Sequence, residues 1–247
     1  MINPKAVNLL EIKMSVHMDK WKINLLGETL LFGVLGKVLQ SNPDRQWLQS
    51  LIEQDTFSES PLESTCPELE AGLGHLQSWS QENQAGLSDE QFTNLQTDYA
   101  RLFVGIGTTL APCWESVYFN EDRTIFQEQT LQVRQWYRRF GLEPEKLYSE
   151  PDDHIGLELS FLAYLAKLGL QALEENDETR FEQTLQAQRQ FISEHPLKWV
   201  SAWSGLVIQH ARTNFYRGLA LLTQGALLVI AQQLQIESPK EYQRESA

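Results

Sequence analysis

Apolar side chains recur at helical spacing along almost the whole chain, and this periodicity constrains the fold more than any other feature. The repeat of three or four residues places them on one face of an α-helix. The clearest series are Leu26, Leu30, Val34 and Val38; Phe92, Leu95, Tyr99 and Leu102; Phe126, Val133, Tyr137 and Phe140; Ile155, Leu159, Leu162 and Ala166; Phe181, Leu185, Gln188 and Ile192; and Phe215, Leu219, Leu222, Ala226 and Ile230. No convincing strand alternation competes with them. The sequence therefore predicts an all-α protein, one domain over residues 1–247 with about eight to ten helices.

Local start signals agree with this periodicity. Ser88 is followed three residues later by Gln91, which is a capping-box pattern. Four prolines stand where a first helical turn is expected to begin: Pro43, Pro67, Pro151 and Pro196.

Two stretches interrupt the helical pattern. Residues 53–70 are acidic and rich in Ser and Pro, which predicts an exposed loop, or a hinge between a smaller N-terminal part and the rest. Residues 105–123 also contain Gly and Pro, but they keep Trp114, Tyr118 and Phe119. Because a solvated linker would not normally retain so much aromatic surface, this second loop is expected to pack on the protein or to bind a partner.

Charge and composition narrow the classes of function. The net charge of −13 argues against nucleic acid as a partner and suits a basic peptide. The N-terminal residues lack the pattern of an export signal, which predicts a cytoplasmic protein. The most apolar segments, residues 25–39 and 218–234, are interrupted by Glu, Lys or Gln and are not expected to span a membrane. The two cysteines, Cys66 and Cys113, have no metal-site spacing and are expected to be free thiols.

The stretch EPDDHIGLEL, residues 150–159, leaves several interpretations open. If a helix begins at Pro151, the dipole alone explains Asp152 and Asp153 in its first turn. His154 and Glu158 share one helical face and could coordinate a metal ion together with the aspartates, but a zinc site lacks a third ligand motif. Catalysis would need a nucleophile such as Ser116 or Cys113, and neither lies in a known nucleophile pattern. A plain helix cap and the acidic rim of a peptide-binding site remain the other two interpretations.

Three segments of the chain carry motifs that match one known protein family. In the first segment, YARLFVGIG, the matching residues are Tyr99, Leu102, Phe103 and Gly105. In the second, APCWESVY, they are Pro112, Trp114, Ser116, Val117 and Tyr118. In the third, EPDDHIGLEL, they are Glu150, Pro151, Asp153, His154 and Ile155. Taken together, the three segments resemble the TorD/DmsD family of cytoplasmic maturation chaperones for molybdenum-containing oxidoreductases, and in particular its DmsD-like branch. The resemblance is clear over residues 92–168.

The resemblance implies an all-helical chaperone that is not an enzyme and that holds no cofactor or metal of its own. It implies binding of the twin-arginine signal peptide and the apo catalytic subunit of a DMSO or TMAO reductase type molybdoenzyme, before export. The implied peptide-binding residues are Tyr99, Leu102, Phe103, Pro112, Trp114, Ser116, Tyr118, Asp153, His154 and Glu158. Asp153 is expected to face a peptide arginine, whereas His154 orders the rim or reports on pH. For Tyr99, Leu102 and Phe103, the helical spacing equally predicts a core stripe.

Other readings stay open at the level of sequence. The client could be a redox enzyme that has no twin-arginine leader. A metal-dependent enzyme would use Asp152, Asp153, His154 and Glu158. The protein is expected to be a monomer, or a dimer that exchanges helices about residues 53–70. The arginines Arg134, Arg138 and Arg139 are expected to form a solvated helix face.

Overall fold

The structure is a computed structural model that describes residues 4–105, 109–143 and 151–236, with side chains from residue 18 onward. Within these ranges it contains nine α-helices and no strand. They are α1 (Pro4–Gln40), α2 (Arg45–Glu53), α3 (Pro67–Glu82), α4 (Asp89–Tyr99), α5 (Glu128–Arg139), α6 (Ile155–Glu174), α7 (Glu178–Glu194), α8 (Pro196–His210) and α9 (Asn214–Gln233). A π-helical turn, Ala100–Val104, and a 3-10 turn, Glu115–Tyr118, complete the fold. The prediction of an all-α protein is confirmed.

Local start signals were correct at some helices and wrong at others. Ser88 forms the predicted capping box with Gln91, and Pro67 and Pro196 open α3 and α8. The prediction from Pro43 was wrong, because α2 begins later, at Arg45, behind the N-cap residue Asp44. The prediction from Pro151 was also wrong, because α6 begins at Ile155.

Two long-range helix pairs organise the core: α1 packs along α6, and α3 packs along α9. The α1–α6 crossing needs glycine on both sides. A Cβ added to Gly36 would lie 2.9 Å from the carbonyl oxygen of Gly156, and a Cβ added to Gly156 would lie 2.8 Å from that of Gly36. Only a helix pair without side chains at this point can approach so closely. The crossing fixes the first turn of α6 against the C-terminal part of α1.

Asp98, near the C-terminal end of α4, joins that helix to the start of α9. Its Oδ2 accepts hydrogen bonds from the backbone N–H groups of Arg212 and Thr213 and from the Thr213 hydroxyl, each at 2.9 Å. Its Oδ1 accepts a bond from Arg101. Because the side chain of Thr213 itself makes no capping bond to α9, the distant Asp98 satisfies the backbone donors that precede this helix.

Three helices, over residues 18–40, 155–174 and 214–233, are long and apolar enough to cross a membrane by length and composition. Inside the protein, 56%, 61% and 72% of their respective apolar windows are buried. Most of this apolar surface is therefore used by helix packing. Residues 25–39 and 218–234, which were expected to fall short of a membrane span, therefore overlap helices that meet the length and composition for one.

The acidic stretch 53–70 links α2 to α3, but it is only partly a solvated loop. Its last four residues begin α3, and Phe57 and Leu62 are buried. Phe57 packs edge-on against Trp79 of α3, with ring centroids 6.4 Å apart. The pattern of Ser, Pro and acidic residues did not reveal these two anchors.

Candidate functional site

The segments of the second and third sequence motifs lie side by side in the structure. The backbone N–H of Glu115 donates to the carbonyl oxygen of Asp153 at 2.9 Å, and that of Ile155 donates to Cys113 at 2.7 Å. The loop that precedes the 3-10 turn is thereby paired with the residues that precede α6. Glu150 and residues 106–108 lie outside the described residues.

The fully buried side chain of Asp153 stabilises this pairing through hydrogen bonds. One carboxylate oxygen accepts the backbone N–H of Ser116 at 2.7 Å, and the other accepts the hydroxyl of Thr130 in α5, also at 2.7 Å. Asp153 thus ties three segments together, and an arginine from a peptide could reach its carboxylate only if the loop opened.

His154 is the N-cap of α6. Its Nδ1 accepts the backbone N–H of Gly156 at 3.1 Å, and its ring lies edge-on to Trp114 at 5.6 Å. Burial lowers the pKa of His154 from 6.5 to about 4, so the imidazole is neutral at physiological pH. These contacts favour the ordering role over the pH-reporting role.

Of the aromatic side chains in residues 105–123, Trp114 and Tyr118 pack on the protein, whereas Phe119 is exposed. Tyr118 lies 5.1 Å from the Trp199 ring of α8, and its hydroxyl donates to the carbonyl oxygen of Pro112 at 2.8 Å. Trp114 and Tyr118 keep partial exposure, whereas Pro112 and Ser116 are buried. Trp114 also has a buried indole nitrogen without a hydrogen-bond partner. These two half-exposed rings form the accessible part of the predicted site.

The first motif belongs to the core. Leu102 is fully buried, and Phe103 stacks on Trp203 with centroids 6.3 Å apart. Tyr99 lies 5.4 Å from Phe103 and is buried as well. The backbone N–H of Ala111 donates to the carbonyl oxygen of Leu102 at 2.9 Å, so this motif also supports the loop.

Arg134 is not on a solvated face, which corrects the expectation for the three arginines. It is buried and paired with the fully buried Asp152, whose backbone oxygen accepts the Tyr137 hydroxyl at 3.0 Å. Arg138 and Arg139 are exposed as expected. Both aspartates of EPDDH therefore contact α5: Asp152 through Arg134, and Asp153 through Thr130.

A second group of titratable side chains is buried between the loop and the helices behind it. Glu115 and His195, both buried, interact at 2.9 Å. Burial raises the pKa of Glu115, and the hydrogen bond with His195 opposes this rise. Burial also raises the pKa of Glu158 well above 4.5, and neither of its oxygens makes a well-formed hydrogen bond. The negative charges of Glu115 and Asp153 raise the pKa of Glu158 further.

The geometry does not assemble the metal site considered for Asp152, Asp153, His154 and Glu158. The first three have separate partners in Arg134, Ser116 with Thr130, and Gly156. Among the residues that the structure describes, no group of three or more His, Cys, Asp or Glu side chains is placed to hold a metal ion.

Sequence reasoning named Phe119 in the aromatic loop but did not single out Ile125, Phe126 and Leu131 as candidate site residues. Phe119, Ile125, Phe126 and Leu131 follow the 3-10 turn and lead into α5, and all four are exposed. Phe126 was assigned to a helical apolar series, which suggests burial, and Leu131 was assigned to none. Their only sequence signal is an apolar cluster within an otherwise polar connection.

Comparison with known proteins matches residues 61–204 to the family described as nitrate reductase delta subunit. The match spans more than half of the 247 residues. The chain belongs to this family, which includes the TorD/DmsD chaperones. It is 29% identical over 203 residues to the Tat proofreading chaperone DmsD of Salmonella typhimurium, covering 81% of this chain and 85% of that protein. It is 28% identical over 187 residues to the chaperone protein TorD of Vibrio cholerae, covering 71% and 83%.

The recognised resemblance to the TorD/DmsD family is thereby confirmed. The matched range contains the loop, α5, the start of α6 and His195. All the hydrogen bonds that join these elements therefore lie in the part of the chain that the family defines.

Proposed function

We propose that this member of the TorD/DmsD family is a cytoplasmic chaperone without catalytic turnover. It binds the twin-arginine signal peptide of a molybdenum-cofactor oxidoreductase of the DMSO or TMAO reductase type and assists maturation of the apo catalytic subunit before export. The name of the Salmonella relative, a Tat proofreading chaperone, supports this assignment. So does the net charge of −13, which favours association with a basic peptide head.

One observation carries the proposal: the loop around Trp114 and Tyr118 is fastened from inside while both aromatic rings keep partial exposure. The bonds to Asp153 fix the loop before any ligand arrives. A loop held in this way loses little conformational entropy on binding, and its aromatic rings supply contact area.

The role proposed for each residue depends on how deeply its side chain is buried. Trp114 and Tyr118 contact the peptide, with Pro112 and Ser116 shaping the loop beneath them. Asp153, His154 and Glu158 are buried behind the loop, and they position the loop and the start of α6 without contacting the peptide. Tyr99, Leu102 and Phe103 support the same loop through the core, and they reach the peptide only if the loop moves.

The test is calorimetric titration of the purified full-length protein with a synthetic twin-arginine leader from a molybdoenzyme of the same organism. We expect a Kd of about 1 µM or tighter, or about −8 kcal/mol. A leader with both arginines replaced by glutamine is the control and should bind at least about ten-fold more weakly, a loss of about 1.4 kcal/mol. Trp114→Ala should also weaken binding while the protein remains folded by circular dichroism.

Absence of binding by folded protein to any such leader would refute leader recognition. In that case the mature part of a redox enzyme without a leader becomes the candidate client, and a pull-down with that apo enzyme would examine it.

A further inference from the structure

An exposed apolar surface continues from the candidate site into α5. We call it the 119–131 ridge; it consists of Phe119, Ile125, Phe126 and Leu131. Phe119 is 45% exposed, Phe126 47% and Leu131 55%. The ridge begins directly after Tyr118, whose ring packs on the core, so it extends the half-exposed aromatic surface of the loop outward. Several large apolar side chains left in water within one short segment are typical of a binding surface.

Polar contacts hold the backbone of the ridge without covering these side chains. Asn120 donates through Nδ2 to the carbonyl oxygens of Ser116 and Thr124. Its Oδ1 accepts the Thr124 backbone N–H at 2.8 Å and the Thr124 hydroxyl at 3.2 Å. The connection is therefore shaped by one asparagine, and its apolar side chains remain available.

The backbone of the ridge also contains a conformation that folding alone disfavours. Phe126 has a φ of 62° and Arg123 a φ of 50°. A bulky side chain in the left-handed region is uncommon and costs free energy, and such residues cluster where a side chain must be presented in one direction. The chain thus keeps a strained phenylalanine that is half exposed, where asparagine or glycine would fit the backbone better.

Phe126 and Leu131 occupy related positions at the start of α5. Gln127 is the N-cap, so Phe126 stands one residue before the cap and Leu131 four residues after it. Side chains at these two positions commonly approach one another as a hydrophobic staple. This spacing favours an apolar contact between the two side chains at the start of α5.

The charges beside the ridge define the chemistry of its occupant. Glu121, Asp122 and Glu128 outnumber Arg123 in the same segment, and all four are exposed. A second exposed apolar stripe, formed by Ile23, Leu26 and Leu30 of α1, lies instead beside Lys20 and Lys22, which outnumber the neighbouring Asp19. A basic apolar peptide is attracted to the first surface, whereas lysines repel it at the second.

We propose that the 119–131 ridge receives the apolar segment of the basic leader, which would place this part of the peptide beyond the partly exposed rings of Trp114 and Tyr118. The inference rests on the proposed function. The acidic residues of the ridge draw in the basic end, and burial of Phe119 and Phe126 holds the apolar run.

The test compares two double variants of the full-length protein in calorimetric titration with the same synthetic leader. Phe119→Ser with Phe126→Asn removes the ridge, and Leu26→Ser with Leu30→Ser is the matched control on α1, where the side chains are 50% and 56% exposed. We expect the ridge variant to raise the Kd about ten-fold or more and the control to change it less than about two-fold. Because asparagine tolerates the backbone of residue 126, the ridge variant should unfold at the same temperature as the wild type or higher.

The outcomes separate the inference from the function on which it rests. If the wild type binds the leader and the ridge variant binds equally well, the ridge is refuted and leader recognition stands. If the folded wild type binds no leader, both are refuted. A leader with a photo-crosslinking residue in its apolar run gives a second measurement on wild-type protein: labelling within residues 119–131 supports the ridge, and labelling confined to other segments overturns it.

Discussion

Asp153 joins three segments at the loop–helix junction, so its removal gives a direct test of the structure. Asp153→Ala leaves the Ser116 N–H and the Thr130 hydroxyl buried without their acceptor. Each buried unsatisfied donor costs about 1–3 kcal/mol, so we expect the free energy of unfolding to fall by about 3 kcal/mol. Asp153→Asn retains one acceptor oxygen, so the free energy of unfolding should fall by about half as much.

Urea unfolding followed by tryptophan fluorescence measures this difference, since the chain has seven tryptophans. With a slope of about 3 kcal/mol per molar urea for a chain of this size, the midpoint for Asp153→Ala should fall by about 1 M. Asp122→Ala, an exposed carboxylate in the neighbouring loop, is the control and should change stability by less than about 0.5 kcal/mol. The proposed junction would be refuted if Asp153→Ala shifted the urea midpoint as little as Asp122→Ala does. It would also be refuted if Asp153→Ala and Asp153→Asn shifted the midpoint equally.

Three further perturbations follow from the buried polar groups. Arg134→Met leaves Asp152 charged and unpaired, so denaturation should show a loss of about 3–5 kcal/mol, and adding Asp152→Leu should recover much of it. Burial raises the pKa of Glu28 from 4.5 to about 7, so the native state holds the proton more tightly and stability falls as pH rises through this window. The stability of Glu28→Gln relative to wild type should therefore increase by about 3 kcal/mol between pH 4.5 and 7 and stay level above it, and a pH-independent difference would contradict this. Asn120→Ala should increase amide hydrogen exchange at Thr124, and unchanged protection there would show that another contact holds the connection.

The class of fold was predictable because helix packing repeats at a period that a sequence displays directly. Ser88 and Pro67 marked helix starts correctly because capping and first-turn geometry depend on near neighbours. Pro151 failed because its preference competes with a long-range pairing: the residues before α6 bond to the loop at Cys113 and Glu115, which delays the helix until Ile155.

The residues of the candidate site were predictable as a group, but their individual roles were not. Asp153 and Arg134 belong to residue types that are usually exposed, and only their tertiary partners Thr130 and Asp152 explain their burial. Conversely, Phe126 belongs to a residue type that is usually buried, and its exposure follows from a backbone conformation that the sequence does not announce. Burial of individual residues in loops depends on contacts that local patterns do not contain.

The pairing of α1 with α6 and of α3 with α9 has a consequence for synthesis of the protein. Asp98 in α4 bonds to the backbone N–H of Arg212, which stands 114 positions later, just before α9. Helix α3 also lacks its packing partner until α9 has left the ribosome. Contacts between such distant segments slow folding, and the apolar faces of α1 and α3 stay exposed while the chain grows. The pairing of α3 with α9 can therefore form only once α9 has emerged from the ribosome, and until then this member of a chaperone family itself exposes an apolar helix face that is open to aggregation.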